Sequence, residues 1–264
     1  MDWSMGLLGF AAGLSISVAT APVGVSGAVF LLPVQVSLLG VPSPAVTPTN
    51  LLYNVVAGPG ALFGHWRAGR LKGPLTRLLI AGTLPGVVLG ALIRVFAVPG
   101  PYVFRLLVAA FLLPLGLWLG LRTVRPAPMR TPPRAPGPLS ARGTRLLALV
   151  VGVVGGVYGI GGGSLLGPIL AGRGTPVATV APAALAATFV TSLAGAATYT
   201  LLSLTTTGAV APDWFLGLSC GAGGLLGGYL GARLQPRLPE TALRLLLATL
   251  ATAIGTLYAV QALR

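Results

Sequence analysis

Ten apolar runs, separated by short loops rich in Gly, Pro and Arg, limit what this chain can fold into. They fall at 5–21, 24–40, 46–66, 76–97, 103–121, 144–158, 163–172, 180–203, 213–233 and 242–262. Only 8% of the 264 residues are charged, while 55% are apolar. A water-soluble domain carries about a quarter charged residues. This chain has too few polar groups to cover a solvated surface. A soluble enzyme, a secreted disulfide scaffold and a disordered chain are all excluded. The fold class that remains is an all-α polytopic membrane protein.

Seventeen Lys and Arg face three acids, for a net charge of +14. Nucleic-acid binding needs cations clustered on a solvated face. Here they sit in loops between apolar runs, where they act as topology signals. The bilayer is the expected partner, and nucleic acid is not. Cys220 is the single cysteine. It can form no internal disulfide and belongs to no cysteine cluster, so it reads as a small core residue. The start of the chain has no basic n-region, and Met1–Leu32 is expected to open the first membrane segment.

The two halves match in register. PVGVSGAVFLLP (22–33) pairs with VYGIGGGSLLGP (157–168), and Pro48 pairs with Pro182. Further on, GVVLGA (86–91) pairs with GGYLGA (227–232), and RLLVA (105–109) with RLLLA (244–248). Such an ordered internal repeat is the mark of a two-half transporter. The expected division is a first repeat over 1–121, a Pro/Arg-rich cytoplasmic linker over 122–143 and a second repeat over 144–264. Charge bias then gives the orientation. The loop after the third run carries Arg67, Arg70, Lys72 and Arg77, whereas its counterpart at 203–213 carries no cation. The uncharged loop 97–102 faces a counterpart with Arg233, Arg237 and Arg244. Each matched loop changes side, so the repeats are expected to be inverted.

With the linker and the loop at 171–179 both inside, 144–172 must enter and leave on the same face. From Leu146 to Gly159 the chain spans only ~21 Å as a helix, short of the ~30 Å core. A broken or re-entrant hairpin with its tip at YGIGGGS fits best, and two short crossings are the alternative. The repeat predicts a mirror hairpin over 5–40, with its tip at APVGVSG. Each repeat then holds one Gly-rich hairpin and three transmembrane helices.

The candidate substrate site follows from those tips. Non-helical backbone at membrane depth is tolerated only beside protein or a water-filled cavity. The tips hold Gly24, Ser26 and Gly27 in one half and Gly159, Gly161, Gly162, Gly163 and Ser164 in the other. A half-helix starting at each tip would present a partially positive N-terminus, suited to an anion. Close helix packing is the competing role for the glycines. In the third run of each half, Asn50 and Asn54 share a helix face with Thr47, flanked by Tyr53, and Thr188, Thr191 and Ser192 occupy the second half. They either bond neighbouring helices or donate to substrate oxygens. His65, beside Trp66 and Arg67, reads as interfacial, with proton handling as the alternative. Arg94, Arg105 and Arg244 are expected to snorkel to the interface, with a role in attracting anions as the alternative.

Asp2, Asp213 and Glu240 are the only acids, and all lie near segment ends. A coupled pump keeps an ionisable group deep in the membrane, and a metal-dependent membrane enzyme needs paired carboxylates. Neither pattern is present, nor is a catalytic triad or a phosphate loop ending in Lys-Ser/Thr. The expectation is a transporter without cofactor or metal, not an enzyme.

GGVYGIGGGSLLGPIL (155–170) followed by ATFVTSLAGA (187–196) resembles the TauE/SafE family of sulfite exporters, and the resemblance spans nearly the whole chain. The first half departs from the family pattern, with PVGVSGAVFLLP where a Gly-rich motif is common. The resemblance implies a multi-pass permease in a bacterial or archaeal cell membrane. Its substrate would be a small sulfur-containing anion such as sulfite or an organosulfonate. An inside-negative potential of ~100 mV pushes a monovalent anion outward with ~2.3 kcal/mol, so export needs no proton relay. A passive anion channel and a membrane scaffold without transport are the alternative functions.

Overall fold

The computed structural model describes residues 3–21, 25–42, 45–67, 73–97, 101–124, 140–172, 175, 177–206, 210–234 and 239–263. Among them there is no strand. Ten α-helices follow in order: α1 (Trp3–Thr20), α2 (Ala28–Ser37), α3 (Val46–Arg67), α4 (Pro74–Leu92), α5 (Pro101–Val124), α6 (Ala141–Tyr158), α7 (Leu166–Gly172), α8 (Val177–Ser203), α9 (Trp214–Leu234) and α10 (Glu240–Leu263). A π-helical turn, Ile93–Ala97, extends α4. Five helical stretches are long and apolar enough to cross a membrane: Trp3–Thr20, Pro74–Ala97, Ala141–Tyr158, Thr179–Ser203 and Trp214–Arg233.

The side chains are distributed as lipid solvent demands. The buried residues of α1 are Gly6, Gly9, Gly13, Ser17 and Thr20, while Trp3, Leu7 and Leu8 are exposed. On α4 the buried set includes Gly82, Thr83, Gly86 and Gly90, while Val88, Leu89 and Leu92 face outward. Lipid tails are as apolar as Leu, so burying Leu between helices gains little. Small residues face inward because they let backbones approach.

Two interfaces are built alike. A Cβ on Gly82 would meet the Arg145 carbonyl, and one on Gly86 would meet the Leu149 carbonyl, as α4 lies against α6. A Cβ on Gly223 would meet the Phe10 carbonyl, and one on Gly227 the Leu14 carbonyl, as α9 lies against α1. Gly223 and Gly227 are the sequence matches of Gly82 and Gly86. Helix α3 packs on α9 as α8 packs on α4, and α3 and α8 also pack on each other, as do α5 and α10. The first and fourth helices of the two halves are thus exchanged. Most helix packing joins one half to the other.

The breaks fall where the glycines are. Helix α6 ends at Gly159, whose φ of 72° is left-handed, and Gly161 follows with φ 73°. Only glycine takes that backbone at little cost. The helices on either side of this break are unequal. Ser140 caps α6 by accepting from the Gly143 amide at 3.2 Å, so the helix starts ahead of the apolar run. It reaches 18 residues, roughly 27 Å, which exceeds the expected first arm. Helix α7 has only 7 residues. In the first half, α2 is likewise short, with 10 residues and Gly27 at its N-cap. Most of the linker, 125–139, lies outside the described residues.

Candidate functional site

A small, partly open cleft lies where α1 ends. It is bounded by α1, the first break, α3, α8 and α9. Its walls are mostly Ala, Gly, Leu, Val and Phe. The polar groups reaching it belong to Ser17, Thr20, Ser26, Tyr53, Asn54 and Thr188. No charged side chain lines it among the described residues.

Each polar group is positioned by local packing. Tyr53 and Ser17 share a hydrogen bond of 2.5 Å between their hydroxyls, tying α3 to α1. Gly27 sits against the Tyr53 hydroxyl and leaves no room for a Cβ. The Ser26 hydroxyl donates to Asn54 Oδ1 at 2.5 Å and accepts from the Ala28 amide at 3.2 Å. Ser26, one residue before the helix cap, therefore bonds the first amide of α2 and fixes the Asn54 amide. With its oxygen engaged, the Asn54 amide turns Nδ2 the other way. That NH₂ group is buried and has no hydrogen-bond partner among the described residues. A buried donor left unbonded costs ~1–3 kcal/mol, so a ligand oxygen placed there would be favoured. Gly27, the N-cap of α2, also lines the cleft, bringing the positive end of that helix to it.

The sequence candidates divide into two groups. Ser26, Gly27, Tyr53, Asn54 and Thr188 meet at this cleft. Asn50, Gly159, Gly161, Gly162, Gly163, Ser164 and Thr191 do not line it. Asn50 is fully buried and donates to the Ala28 carbonyl at 2.9 Å, holding α2 against α3. Gly24 and the side chain of His65 lie outside the described residues, as do the side chains of Arg105 and Arg244.

The second break is packed. Gly159 lies on the Thr47 backbone, Gly161 between Thr188 and Ser192, and Gly163 against the Ala184 carbonyl. The Gly162 amide donates to Thr191 Oγ1 at 3.0 Å, and the Ser164 hydroxyl donates to the Ile160 carbonyl at 2.6 Å. Close approach accounts for these glycines here, and the amide of Gly162 is already engaged. At the first break the amides of Phe30 and Leu31 donate to the Gly27 carbonyl. Among the side chains that line the cleft, the buried donor left without a partner among the described residues is Asn54 Nδ2.

Arg94 corrects an expectation. It does not snorkel; it is 0% exposed. The π-helical turn carries it inward, where its Nε donates to Thr47 Oγ1 at 3.4 Å. Thr47 in turn donates to the Val157 carbonyl at 3.1 Å. Tyr199 lies alongside and donates to the Gly156 carbonyl at 2.8 Å. Thr47 therefore serves the second break, although it shares a helix face with Asn50 and Asn54, which serve the first. The signal for Arg94 was present as a cation inside the apolar run 76–97. Gln35 was missed altogether; its amide is fully buried with neither atom in a regular hydrogen bond.

Cys220 is buried and free, as its composition suggested. It packs against Gly9 and Gly13 of α1. Among the described residues no group of His, Cys, Asp or Glu could hold a metal ion. Asp213 accepts from the Leu216 amide at 3.0 Å, capping the start of α9.

No curated protein and no solved structure matches the chain. The sequence model of the sulfite exporter TauE/SafE family does, over residues 8–258. With an apolar helical bundle and a polar cleft inside it, the chain belongs to the TauE/SafE sulfite exporter family, a family of membrane transporters.

Proposed function

We propose that this protein exports small sulfur-containing anions, sulfite or organosulfonates, and binds them in the cleft at the first break. The observation that carries this reading is the unbonded Asn54 NH₂ in a wall of hydroxyls with no carboxylate. An oxyanion needs donors, and the cleft supplies them from Asn54, Thr20, Thr188 and whichever of Ser17 and Tyr53 accepts in their shared bond, at the positive end of α2. The apolar remainder of the wall suits a short carbon chain and keeps the local dielectric low, which strengthens each donor.

Alternating access supplies the transport step. The cleft extends along Ala57, Gly58, Ala61, Gly224 and Gly228, toward the ends of α3 and α9 that carry the cytoplasmic charge bias. The repeat matches of these positions are Thr191, Ser192, Gly195, Thr83 and Val87. There the space is filled. Gly195 abuts Leu51 and Val87, and Leu51, Ala91, Tyr199 and Val210 form a buried cluster. Inverted repeats would exchange the open and filled arrangements between the two faces. In this reading the conformation described is open to the cytoplasm.

Equilibrium binding to purified protein tests the site. Wild-type protein is expected to bind sulfite saturably, with competition by a two-carbon sulfonate. Asn54→Leu is expected to weaken binding at least about tenfold, the effect of one lost hydrogen bond to a charged group. Unchanged affinity in a folded Asn54→Leu protein would remove the anion from this cleft.

A further inference from the structure

We propose that the cleft holds the carbon tail of an organosulfonate between α3, α8 and α9, that this tail is uncharged, and that Gly228 decides how long it can be. The inference rests on the binding reading above and narrows its substrate to a sulfonate with a short alkyl tail.

Four glycines line the cleft, and packing accounts for three of them. A Cβ on Gly27 would strike the Tyr53 hydroxyl, one on Gly58 the Phe189 ring and one on Gly224 the Tyr53 ring. Gly228 is different. A Cβ there would meet nothing closer than the Ala61 amide nitrogen at 3.5 Å, then Ala61 Cβ at 3.7 Å and the Ala57 carbonyl at 3.9 Å. These are ordinary contact distances, and Gly228 has no positive φ. Neither close approach nor backbone conformation requires a glycine at this position. The other half has a side chain at the matching place. Val87, the repeat match of Gly228, is fully buried and packs against Gly195, the match of Ala61. Gly228 leaves open what Val87 fills.

The unbonded donor lies beside this space. Asn54 is 3% exposed, and its Nδ2 has no partner among the described residues. From Asn54 to Ala61, α3 advances seven residues, roughly 10 Å. Over that length α3 turns Ala57, Gly58 and Ala61 to the cleft, and α9 turns Gly224 and Gly228. A sulfonate carries its three oxygens on one side of sulfur and its carbon on the other. Held by an oxygen at Asn54, it can run its carbon along this apolar wall. Sulfite has no carbon to cover it. No charged side chain lines the cleft among the described residues. A carboxylate or ammonium at the end of the tail would lose water and find no partner. An alkyl tail gains affinity instead, about fourfold for each methylene taken out of water.

A chain-length series tests it. Equilibrium binding of methane-, ethane- and propanesulfonate to the purified protein keeps the charged group constant. Wild-type affinity is expected to rise about fourfold per added carbon. A two-carbon sulfonate ending in a carboxylate is expected to bind at least about tenfold more weakly than ethanesulfonate. Gly228→Val reproduces the matching Val87 and is expected to cut the preference for propanesulfonate over methanesulfonate at least about fivefold. Should that protein fail to fold, Gly228→Ala adds one methyl at ordinary contact distance and is expected to cut the same preference at least about threefold. A merely structural role for Gly228 would weaken both ligands equally and leave the ratio unchanged. That result, wild-type affinity indifferent to tail length, or equal binding of the carboxylate-ended sulfonate would overturn the tail subsite. Absence of saturable binding for every sulfonate and for sulfite would instead sink the reading of the cleft as an anion site.

Discussion

Two asparagines one helical turn apart do different work. Asn50 and Asn54 share a face of α3, and spacing alone marks them as a pair. The structure separates them by partner. Asn50 holds the Ala28 carbonyl, whereas Asn54 has its oxygen bound by Ser26 and its NH₂ left over. Asn50→Leu therefore removes one internal hydrogen bond, worth ~1 kcal/mol, and is expected to lower the melting temperature by a few degrees with most flux retained. Asn54→Leu removes the acceptor of the Ser26 hydroxyl and is expected to lower the melting temperature by a similar few degrees, while flux falls at least about tenfold. Thermal unfolding and vesicle uptake on the same preparations would separate the two; equal loss of flux in both would contradict this division of roles. Residue chemistry was legible in part. A polar pair in an apolar run can be read from sequence, but which atom stays unbonded depends on Ser26, 28 residues away. Arg94 was misread because an arginine near a short loop ordinarily snorkels, and nothing in the local sequence shows the π-helical turn that directs it inward.

At the scale of elements, the glycines hold the helices together. Helices α4 and α6, and α9 and α1, approach until a Cβ would strike a carbonyl. In lipid such contact replaces the hydrophobic burial that drives association in water. Gly86→Val and its match Gly227→Val are each expected to destabilise the protein by at least ~1–3 kcal/mol, the usual cost of overpacking. Gly40→Ala serves as the control: its φ is 65°, but nothing lies within 4 Å, so backbone strain is its only cost. Thermal unfolding in detergent would check the ranking; a Gly40→Ala protein less stable than Gly227→Val would contradict it. The helices themselves were readable, because apolar runs between Arg- and Gly-bearing loops leave few alternatives. The lengths of the helices beside the breaks were less so. Ser140 and Arg142 are polar, yet α6 begins with them, since a capping hydroxyl and not hydropathy sets its first turn.

Across the whole molecule, the halves interlock. Helix α1 packs on α9 and α6 on α4, so each half completes its core with helices of the other. The cleft shares this character: Asn54 and Gly27 come from the first half, Thr188 and Gly224 from the second. The internal match of PVGVSGAVFLLP with VYGIGGGSLLGP pointed to two related halves. It could not show that they would be exchanged, because tertiary pairing leaves no mark on either segment alone. Nor could it show that one break borders an open cleft while the other is tightly packed. That difference is the structural content of the transport account, and counterflow measures it. Purified protein in liposomes loaded with unlabelled sulfite would be diluted into a trace of labelled sulfite. The account predicts saturable, transient accumulation of label, inhibited by a two-carbon sulfonate and lost in Asn54→Leu. Flux that grows linearly with concentration and shows no accumulation would indicate a channel, and no flux in folded protein would contradict transport itself.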